Sequence, residues 1–172
     1  NSNQKELERM AHNDPLTDLP NRRLFFDRLQ HAISNAKRSG KLLGLLYVDL
    51  DHFKEINDTH GHAAGDEVLT NVAHLLGSVT RSGDTVARIG GDEFVILFEN
   101  IENRATLLGI ARKLLDLLQN RLLIDGKDLQ VRASLGISLY PQDGSDAQTL
   151  LQNADRAMYS SKRSGRNTIS SA

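Results

Sequence analysis

Three acidic side chains that could hold a metal ion follow apolar or glycine-rich stretches of the chain. Asp49 comes directly after the apolar run of residues 42–48, and Asp92 and Glu93 follow a pair of glycines. Carboxylates brought close together repel one another, so such a group either binds a cation or has raised pKa values. Oxygen ligands in a chain without cysteine indicate Mg²⁺ or Mn²⁺, which hold substrate phosphates in phosphoryl-transfer sites. The simpler alternative is a tight turn with exposed acids.

Basic side chains that could meet a triphosphate stand at two places in the sequence. Lys54 lies five residues after Asp49, and Lys162, Arg163 and Arg166 form a cluster near the end of the chain. Both places offer positive charge for phosphate oxygens. The alternative for the second cluster is an ordinary helix C-terminus, where cations interact favourably with the helix dipole.

Length and composition predict one domain without a membrane span. The chain has 172 residues, of which 39% are hydrophobic, enough for a core. No apolar run approaches the roughly 20 residues of a membrane helix, and no signal-peptide pattern is present. A net charge of −1 argues against a general nucleic-acid binder. We expect this segment in the cytoplasm, within a parent protein that could be anchored in a membrane.

Hydrophobic periodicity predicts alternating helices and strands that would position the acids and bases. The uniformly apolar residues 42–48 predict a central strand buried on both faces. Ser145 and Gln148 form a capping-box pattern that opens the last helix. The predicted helices are residues 22–39, 66–81, 104–119 and a last one ending near residue 163, and the predicted strands are residues 42–48, 85–89, 93–98, 129–139 and a short one near Thr168.

The order of these elements predicts the fold class. From residue 42 to residue 139 it is strand, helix, strand, strand, helix, strand. This predicts an α+β, ferredoxin-like βαββαβ core, with a mixed or antiparallel central sheet flanked by helices, as in nucleotide cyclases and polymerase palms. The first and third strands of such a core lie side by side, which would bring Asp49 to Asp92 and Glu93. The fold alone does not define the function.

Five sequence motifs together resemble the GGDEF-type diguanylate cyclase domain. The motif that names this family is Gly90-Gly91-Asp92-Glu93-Phe94. Four other segments agree in order and spacing, namely Asp14-Pro15-Leu16-Thr17, Val48-Asp49-Leu50-Asp51-His52-Phe53-Lys54, Asn57 with Gly61-His62-Ala63-Ala64-Gly65-Asp66, and Lys162-Arg163-Ser164-Gly165-Arg166-Asn167. The resemblance covers residues 14–167, nearly the whole chain.

The resemblance implies roles for the acidic residues. Asp49 and Asp92 would hold Mg²⁺ (or Mn²⁺), and the backbone carbonyl of Leu50 would add a ligand. Glu93 would be either a metal ligand or a base for the ribose 3′-hydroxyl. Lys54 would act in catalysis by neutralising phosphate charge.

The resemblance also implies a GTP-binding site. Asn57 and Asp66 would read guanine, because a carboxylate can accept from guanine N1 and N2 and an amide can pair with the base edge. The remaining substrate contacts would come from Leu16 beside the base, from the backbone amides of His52 and Phe53, and from Lys162 and Arg166 on the phosphates.

The implied activity is the condensation of two GTP molecules into cyclic di-GMP with release of two pyrophosphates. It would require a homodimer with one GTP in each subunit. Residues 14–172 would form the cyclase domain, and residues 1–13 would end a linker helix from an upstream sensor domain. Because residues 3–12 contain few apolar side chains, a frayed terminus is the alternative.

A second ligand site is implied by the Arg-x-x-Asp pattern of Arg81 and Asp84, and five residues separate Asp84 from Gly90. In the GGDEF family this placement marks an inhibitory site for the product, and Arg112 stands where a second arginine of that site would lie. Arginine suits such a site because its planar fork binds phosphate and stacks on guanine. The alternative is a helix-end arginine with a turn aspartate.

Two other functions remain open on the sequence. The chain could be a binding module that senses GTP or cyclic di-GMP without turnover, although Asp49, Asp92 and Glu93 are all present. It could also be a cyclase that makes a cyclic mononucleotide on a related fold. His60 and His62 flank Gly61 and are interpreted as loop structure rather than metal ligands.

Overall fold

The computed structural model describes residues 2–120, 122–124 and 126–172. Over these residues the chain forms a five-stranded sheet with helices on both faces and a separate two-stranded hairpin. In chain order the helices are α1 Ser2–His12, α2 Arg22–Ser39, α3 Phe53–His60, α4 His62–Ser78, α5 Arg104–Gln119 and α6 Ala147–Arg163. The strands are β1 Leu42–Leu50, β2 Thr85–Arg88, β3 Glu93–Ile101, β4 Leu122–Ile124, β5 Lys127–Leu129, β6 Ala133–Tyr140 and β7 Ile169–Ser171.

The main sheet has the strand order β2-β3-β1-β6-β7. Strand β1 lies in the centre and pairs antiparallel with both β3 and β6, while β2 pairs antiparallel with β3. These four strands give the predicted ferredoxin-like core, with the first and third strands side by side. The short β7 then adds to the edge of β6 in parallel, which makes the sheet mixed.

The side chains of β1 alternate between two hydrophobic layers. Leu46 and Val48 pack with residues of α4 and α5, whereas Leu45 and Tyr47 pack with residues of α2 and α6. Successive strand residues point to opposite faces, so β1 is buried on both sides, as the sequence predicts. This burial specifies the register of β1, because a shift by one residue would move every side chain into the other layer.

Helix α6 packs directly on the backbone of β6 at Gly136. A Cβ atom at this position would overlap the backbone nitrogen of Met158 and the carbonyl oxygen of Ala154. Only glycine allows the helix and the strand to approach this closely. The contact places the C-terminal end of α6, with its basic residues, beside the sheet.

The structure corrects several predicted boundaries. Strand β1 continues through Asp49 to Leu50, and α4 begins at His62, four residues before the predicted start. The predicted strand of residues 129–139 is shorter, because only β6 from Ala133 onwards belongs to the main sheet and Leu129 ends β5 of the separate hairpin. The predicted capping box is wrong, because the side chain of Asp146 accepts from the Thr149 amide and caps α6 one residue after Ser145. Aspartate and serine are both good N-caps, so the sequence alone leaves the two neighbouring positions competing.

The segment before residue 14 forms the exposed helix α1, in which no residue is buried. Its end is attached to the turn that follows, since the Asn21 side chain donates to the Ala11 carbonyl and Arg9 pairs with Asp18. The continuation of this segment into an upstream domain stays a prediction. Asn1, the first residue of the predicted linker segment 1–13, lies outside the described residues. Among the described helices, none is both long and apolar enough to cross a membrane.

Candidate active site

The ends of β1 and β3 bring the predicted acidic residues together. Asp49 and Glu93 are directly opposite each other in the antiparallel ladder. Beyond this pair the Leu50 amide donates to the Asp92 carbonyl at 3.1 Å, which fixes the turn of Gly90 and Gly91 (the glycine turn) against the end of β1. The register of the two strands therefore positions Asp49, Asp92 and Glu93 at one end of the sheet.

The negative charges of these carboxylates repel one another, which helps to raise the pKa values of Asp49 and Asp92. Burial raises the pKa of Asp49 to about 6, assisted by the negative charges of Asp92 and Glu93 and opposed by Lys162. Burial, with the charge of Glu93, also raises the pKa of Asp92. A bound cation would relieve this repulsion, so the site favours positive charge.

The oxygen donors at this place fit a hard divalent cation such as Mg²⁺, but they are not fully prearranged for one. Within the described ranges, no group of three or more His, Cys, Asp or Glu side chains is arranged to hold a metal. Instead the Lys162 ammonium lies 3.0 Å from Asp49 Oδ1 and supplies the positive charge. A metal ion on Asp49 would therefore have to displace this ammonium group from the carboxylate.

Glu93 is held by a residue that the sequence did not single out. The Tyr47 hydroxyl donates to Glu93 Oε2 at 2.8 Å, and burial and this carboxylate raise the pKa of the phenol. Both residues line an open cavity of about 430 Å³ together with Arg22 and Asp155. Gly90 leaves room for the Glu93 side chain, because a Cβ at this position would lie 3.2 Å from Glu93 Oε2.

Helix α3 begins directly after the end of β1 and offers backbone donors beside the acids. His52 has a positive φ of 57°, which turns the chain so that α3 starts at Phe53. The first turn of a helix has amides without intrahelical partners, and these bind phosphate well. Lys54 is exposed on this first turn. The predicted contribution of His52, Phe53 and Lys54 to phosphate binding is consistent with this placement.

The residues predicted to read guanine lie at the α3–α4 junction. The Asn57 side chain lies over Gly65, where an added Cβ would overlap the Asn57 amide oxygen. Asp66, the next residue along α4, is exposed. Leu16 is half-buried and packs on the edge of the core. The close contact explains why glycine precedes Asp66.

The glycine turn is attached to residues 14–17 by Arg88, which the sequence analysis missed. Its guanidinium lies 3.0 Å from Asp14 Oδ1 and donates to the Gly91 carbonyl at 2.8 Å. Asp14 in turn accepts from the Thr17 amide at 2.8 Å. Arg88 thus joins the N-terminal turn to the turn that carries Asp92.

The C-terminal segment, residues 162–167, begins in the last turn of α6. It approaches the acids through Lys162, whose ammonium contacts both Asp49 and Asp51. Arg166, the other predicted phosphate ligand, is exposed and has a φ of 65°. Asp51 is a buried acid that the sequence indicates only as a member of the Val48–Lys54 motif. Its importance depends on tertiary contacts, which no spacing rule reveals.

The Arg81–Asp84 segment is a turn after α4 rather than the end of the helix. The Asp84 carboxylate accepts from the backbone amides of Arg81 and Glu99, at 2.9 and 3.0 Å, and its side chain is 2% exposed. Arg81 is exposed, and its guanidinium donates to the Glu99 carbonyl. In the described part of the chain no hydrogen bond joins Arg112, exposed on α5, to this turn.

An open cleft of about 470 Å³ adjoins this turn. Asp84 and Glu99 line one side, and Arg28 and His31 of α2 line it as well. The sequence offers no reason to associate α2 with the turn, because the two are distant along the chain. The cleft thus combines the predicted Asp84 with an arginine from another element.

The fold and the acidic strand ends match a known protein family. Residues 11–168 match the family model described as "Diguanylate cyclase, GGDEF domain". This chain belongs to the GGDEF-domain family of diguanylate cyclases.

Individual relatives agree with this assignment. The chain is 44% identical over 163 residues to the bifunctional diguanylate cyclase/cyclic di-GMP phosphodiesterase MucR of Pseudomonas aeruginosa, covering 95% of this chain and 24% of MucR. The solved GGDEF domain of TpbB from the same organism is 41% identical, with a TM-score of 0.91 and 94% of each chain covered.

A third relative was solved with a ligand. The coiled coil and GGDEF domain of DgcB from Caulobacter crescentus, in complex with c-di-GMP, is 30% identical with a TM-score of 0.89, covering 99% of this chain and 91% of that one. The chain spans 24% of the length of MucR and 37% of the length of full TpbB.

Proposed function

We propose that this domain is a diguanylate cyclase that condenses two GTP molecules into cyclic di-GMP and releases two pyrophosphates. The observation that carries the proposal is the meeting of Asp49, Asp92 and Glu93 at one sheet end, beside the first turn of α3. Carboxylates there suit a metal ion, and free helix amides beside them suit phosphate. Family membership and the names of the relatives support the same activity.

The metal would be held by the carboxylates of Asp49 and Asp92 and by the Leu50 carbonyl. Bound Mg²⁺ or Mn²⁺ would stabilise negative charge on the transferring phosphate and favour loss of the proton from the 3′-hydroxyl. Glu93 would serve as a further ligand or as the base that receives this proton. The hydrogen bond from Tyr47 would hold the Glu93 side chain in place for either role.

GTP would lie across the α3–α4 junction and the end of the sheet. Asn57 and Asp66 would pair with guanine while Leu16 packs near the base. The triphosphate would meet the amides of His52 and Phe53 from one side. Positive charge from Lys54, Lys162 and Arg166 would neutralise it.

Two copies of the domain would face each other, each with one GTP. The 3′-oxygen of each GTP attacks the α-phosphorus of the other, and each attack breaks the bond to a leaving pyrophosphate. Two such steps close the ring and release two protons. Holding the two nucleotides in this orientation is the main task of the dimer.

Product could also bind away from the acids and reduce turnover. The cleft beside Asp84 includes Arg28 and is flanked by the exposed Arg81. These arginines suit a phosphate-bearing nucleotide. Participation of Arg112 stays a prediction.

The sequence also supports proposals about what precedes this domain in its parent protein and about the compartment in which it works. Residues 1–13 would end a helix that carries a signal from an upstream sensor domain into the dimer. A chain without cysteine is compatible with the reducing cytoplasm, where GTP is available.

The test is to incubate the nucleotide-free chain with GTP and Mg²⁺ at high protein concentration and to identify the product by chromatography and mass. Asp92→Asn should abolish the cyclic product, and Asp116→Asn, an exposed acid on α5, should not. Formation of 3′,5′-cyclic GMP alone would instead indicate a mononucleotide cyclase.

A negative result has two explanations that can be separated. Nucleotide binding without any product would indicate a sensing module or a cyclase that lacks a dimerising segment. The assay is therefore repeated with a coiled-coil dimeriser fused before α1. Continued absence of product would overturn the proposed activity.

A further inference from the structure

Asp51 is a buried acidic residue directly after β1. The residue is 5% exposed, and three groups from two distant parts of the chain contact its carboxylate. The Ser134 hydroxyl donates to Oδ1 at 2.7 Å and the Asn167 amide donates to Oδ2 at 2.9 Å. The Lys162 ammonium lies 3.3 Å from Oδ1. Asp51 thus joins the start of β6 and the C-terminal segment to β1.

The C-terminal segment has a backbone conformation that needs such support. Three consecutive residues have positive φ angles, 108° at Gly165, 65° at Arg166 and 48° at Asn167. Side chains disfavour this region, so Arg166 and Asn167 adopt it only where surrounding bonds determine it. The Asn167 amide is bound by Asp51, and the Arg166 amide by the Ser161 carbonyl at 3.0 Å.

Lys162 bridges two acids that have different tasks. Its ammonium contacts Asp49, which the proposed metal would take over, and Asp51, which lies behind it. If a metal ion took the place of the ammonium at Asp49, the contact with Asp51 would remain available to it. That contact would keep the lysine beside the site.

We propose that Asp51 is a positioning residue that holds Lys162 and Arg166 in place for the triphosphate of the substrate. This inference rests on the proposed function, since it assigns those two side chains to phosphate. Asp51 itself is too buried to contact substrate. It acts through the Asn167 amide, which fixes the backbone of Arg166, and through the ammonium of Lys162.

The test compares the affinity for GTP with that for GMP, because only the triphosphate reaches the positioned cations. Calorimetry would use a GTP analogue with a methylene group between the α- and β-phosphates, which cannot react. We expect Asp51→Asn to weaken analogue binding about tenfold while GMP binding changes less than about twofold. The control Ser134→Ala removes one donor and leaves both other contacts, so its preference for the triphosphate should remain.

A double-variant cycle tests whether Asp51 acts through Lys162. Lys162→Met alone should weaken analogue binding, and Asp51→Asn should weaken it less in that background than in the unsubstituted chain. Additive losses, or equal losses for the analogue and GMP, would overturn the inference. An undiminished preference for the triphosphate in Asp51→Asn would do the same and leave the proposed function intact.

A measurement on the unsubstituted chain covers the case in which Asp51→Asn does not fold. The Asn167 amide should exchange its hydrogen at least about a hundredfold more slowly than the Gly165 amide, because Asp51 binds it in the interior. Equal exchange rates would overturn the inference. Absence of any preference for the triphosphate in the unsubstituted chain would overturn the proposed function and this inference with it.

Discussion

The carboxylate of Asp49 lies buried beside two other acids. Burial, together with the charges of Asp92 and Glu93, raises its pKa from 3.8 to about 6. The folded chain therefore binds this proton more tightly than the unfolded chain, and stability falls as the pH rises from about 4 to about 6. We expect the uncharged Asp49→Asn variant to be more stable than the unsubstituted chain above pH 6, by about 1 kcal/mol after allowance for solvent screening.

Urea denaturation without divalent metal at several pH values would measure this difference. The advantage of Asp49→Asn should disappear near pH 4, where both chains are neutral at this position. The same variant should make no cyclic product. If it is less stable than the unsubstituted chain at pH 8, the ion pair with Lys162 outweighs the burial of the carboxylate.

Asp14 shows the opposite dependence on pH. Burial alone would raise its pKa, but the hydrogen bonds from Thr17 and the charge of Arg88 lower it below 3.8. Its contribution to stability is therefore full above this pH and is lost as the pH falls through the lowered pKa. We expect Asp14→Asn to destabilise the chain by about 1 kcal/mol at pH 7 and by less at pH 3.

Asp18→Asn is a matched control for the Asp14 experiment. Asp18 also pairs with an arginine, but the side chains of Asp18 and Arg9 are 61% and 60% exposed. Exposed pairs of this kind contribute little, so denaturation should detect less than about 0.5 kcal/mol. Equal losses in the two variants would mean that the bridge from Asp14 through Arg88 to the glycine turn adds no stability.

At the scale of elements, the contact of β6 with α6 allows no added side chain. Gly136→Ala would drive a methyl group into backbone atoms of α6, which cannot move without separating the helix from the sheet. We expect a loss of about 3 kcal/mol or failure to fold. Thermal denaturation of the purified variant measures this loss.

Gly109→Ala provides the contrast within α5. Apart from its chain neighbours and the backbone of its own helix, no atom lies within 4 Å of a Cβ added there. Alanine favours helix over glycine by about 1 kcal/mol, so this variant should be more stable than the unsubstituted chain. An equal loss of stability in Gly109→Ala and Gly136→Ala would mean that the β6–α6 contact is not the cause of the loss in Gly136→Ala.

The elements that the sequence predicts well are those with a clear hydrophobic period, such as α2 and the buried β1. Helix α3 was not predicted, because only Phe53 and Ile56 are apolar in its two turns. The alternating pattern of residues 129–139 continues across the break before β6, since buried loop residues such as Val131 alternate as strand residues do. Hydrophobic periodicity indicates which residues are buried, and burial alone does not distinguish a strand from a buried loop.

Some residues of the candidate site are likewise predictable from the sequence, and others are not. Asp49, Asp92 and Glu93 follow from strand order, because the fold places the first and third strands together. Other polar residues of the site, namely Tyr47, Asp51 and Arg88, became evident only from contacts between elements distant in sequence. A buried polar side chain is defined by its partners, and the sequence does not give those partners.

At the scale of the whole molecule, turnover by paired copies has a kinetic signature. At constant total protein, mixing the unsubstituted chain with Asp92→Asn should reduce cyclic product with the square of the active fraction. Equal amounts of the two should give about one quarter of the full rate. A rate proportional to the active fraction itself would mean that one copy completes the reaction, and dilution with Asp116→Asn should leave the rate unchanged.

The two outer strands of the sheet are short, four residues in β2 and three in β7. Long, flat outer strands pair with those of other molecules and cause aggregation. Here the free side of β2 is partly covered, since the Arg88 amide already donates to the Pro20 carbonyl. Short, partly covered outer strands disfavour edge-to-edge pairing between molecules. Contacts between copies in the proposed dimer would therefore be made by side chains.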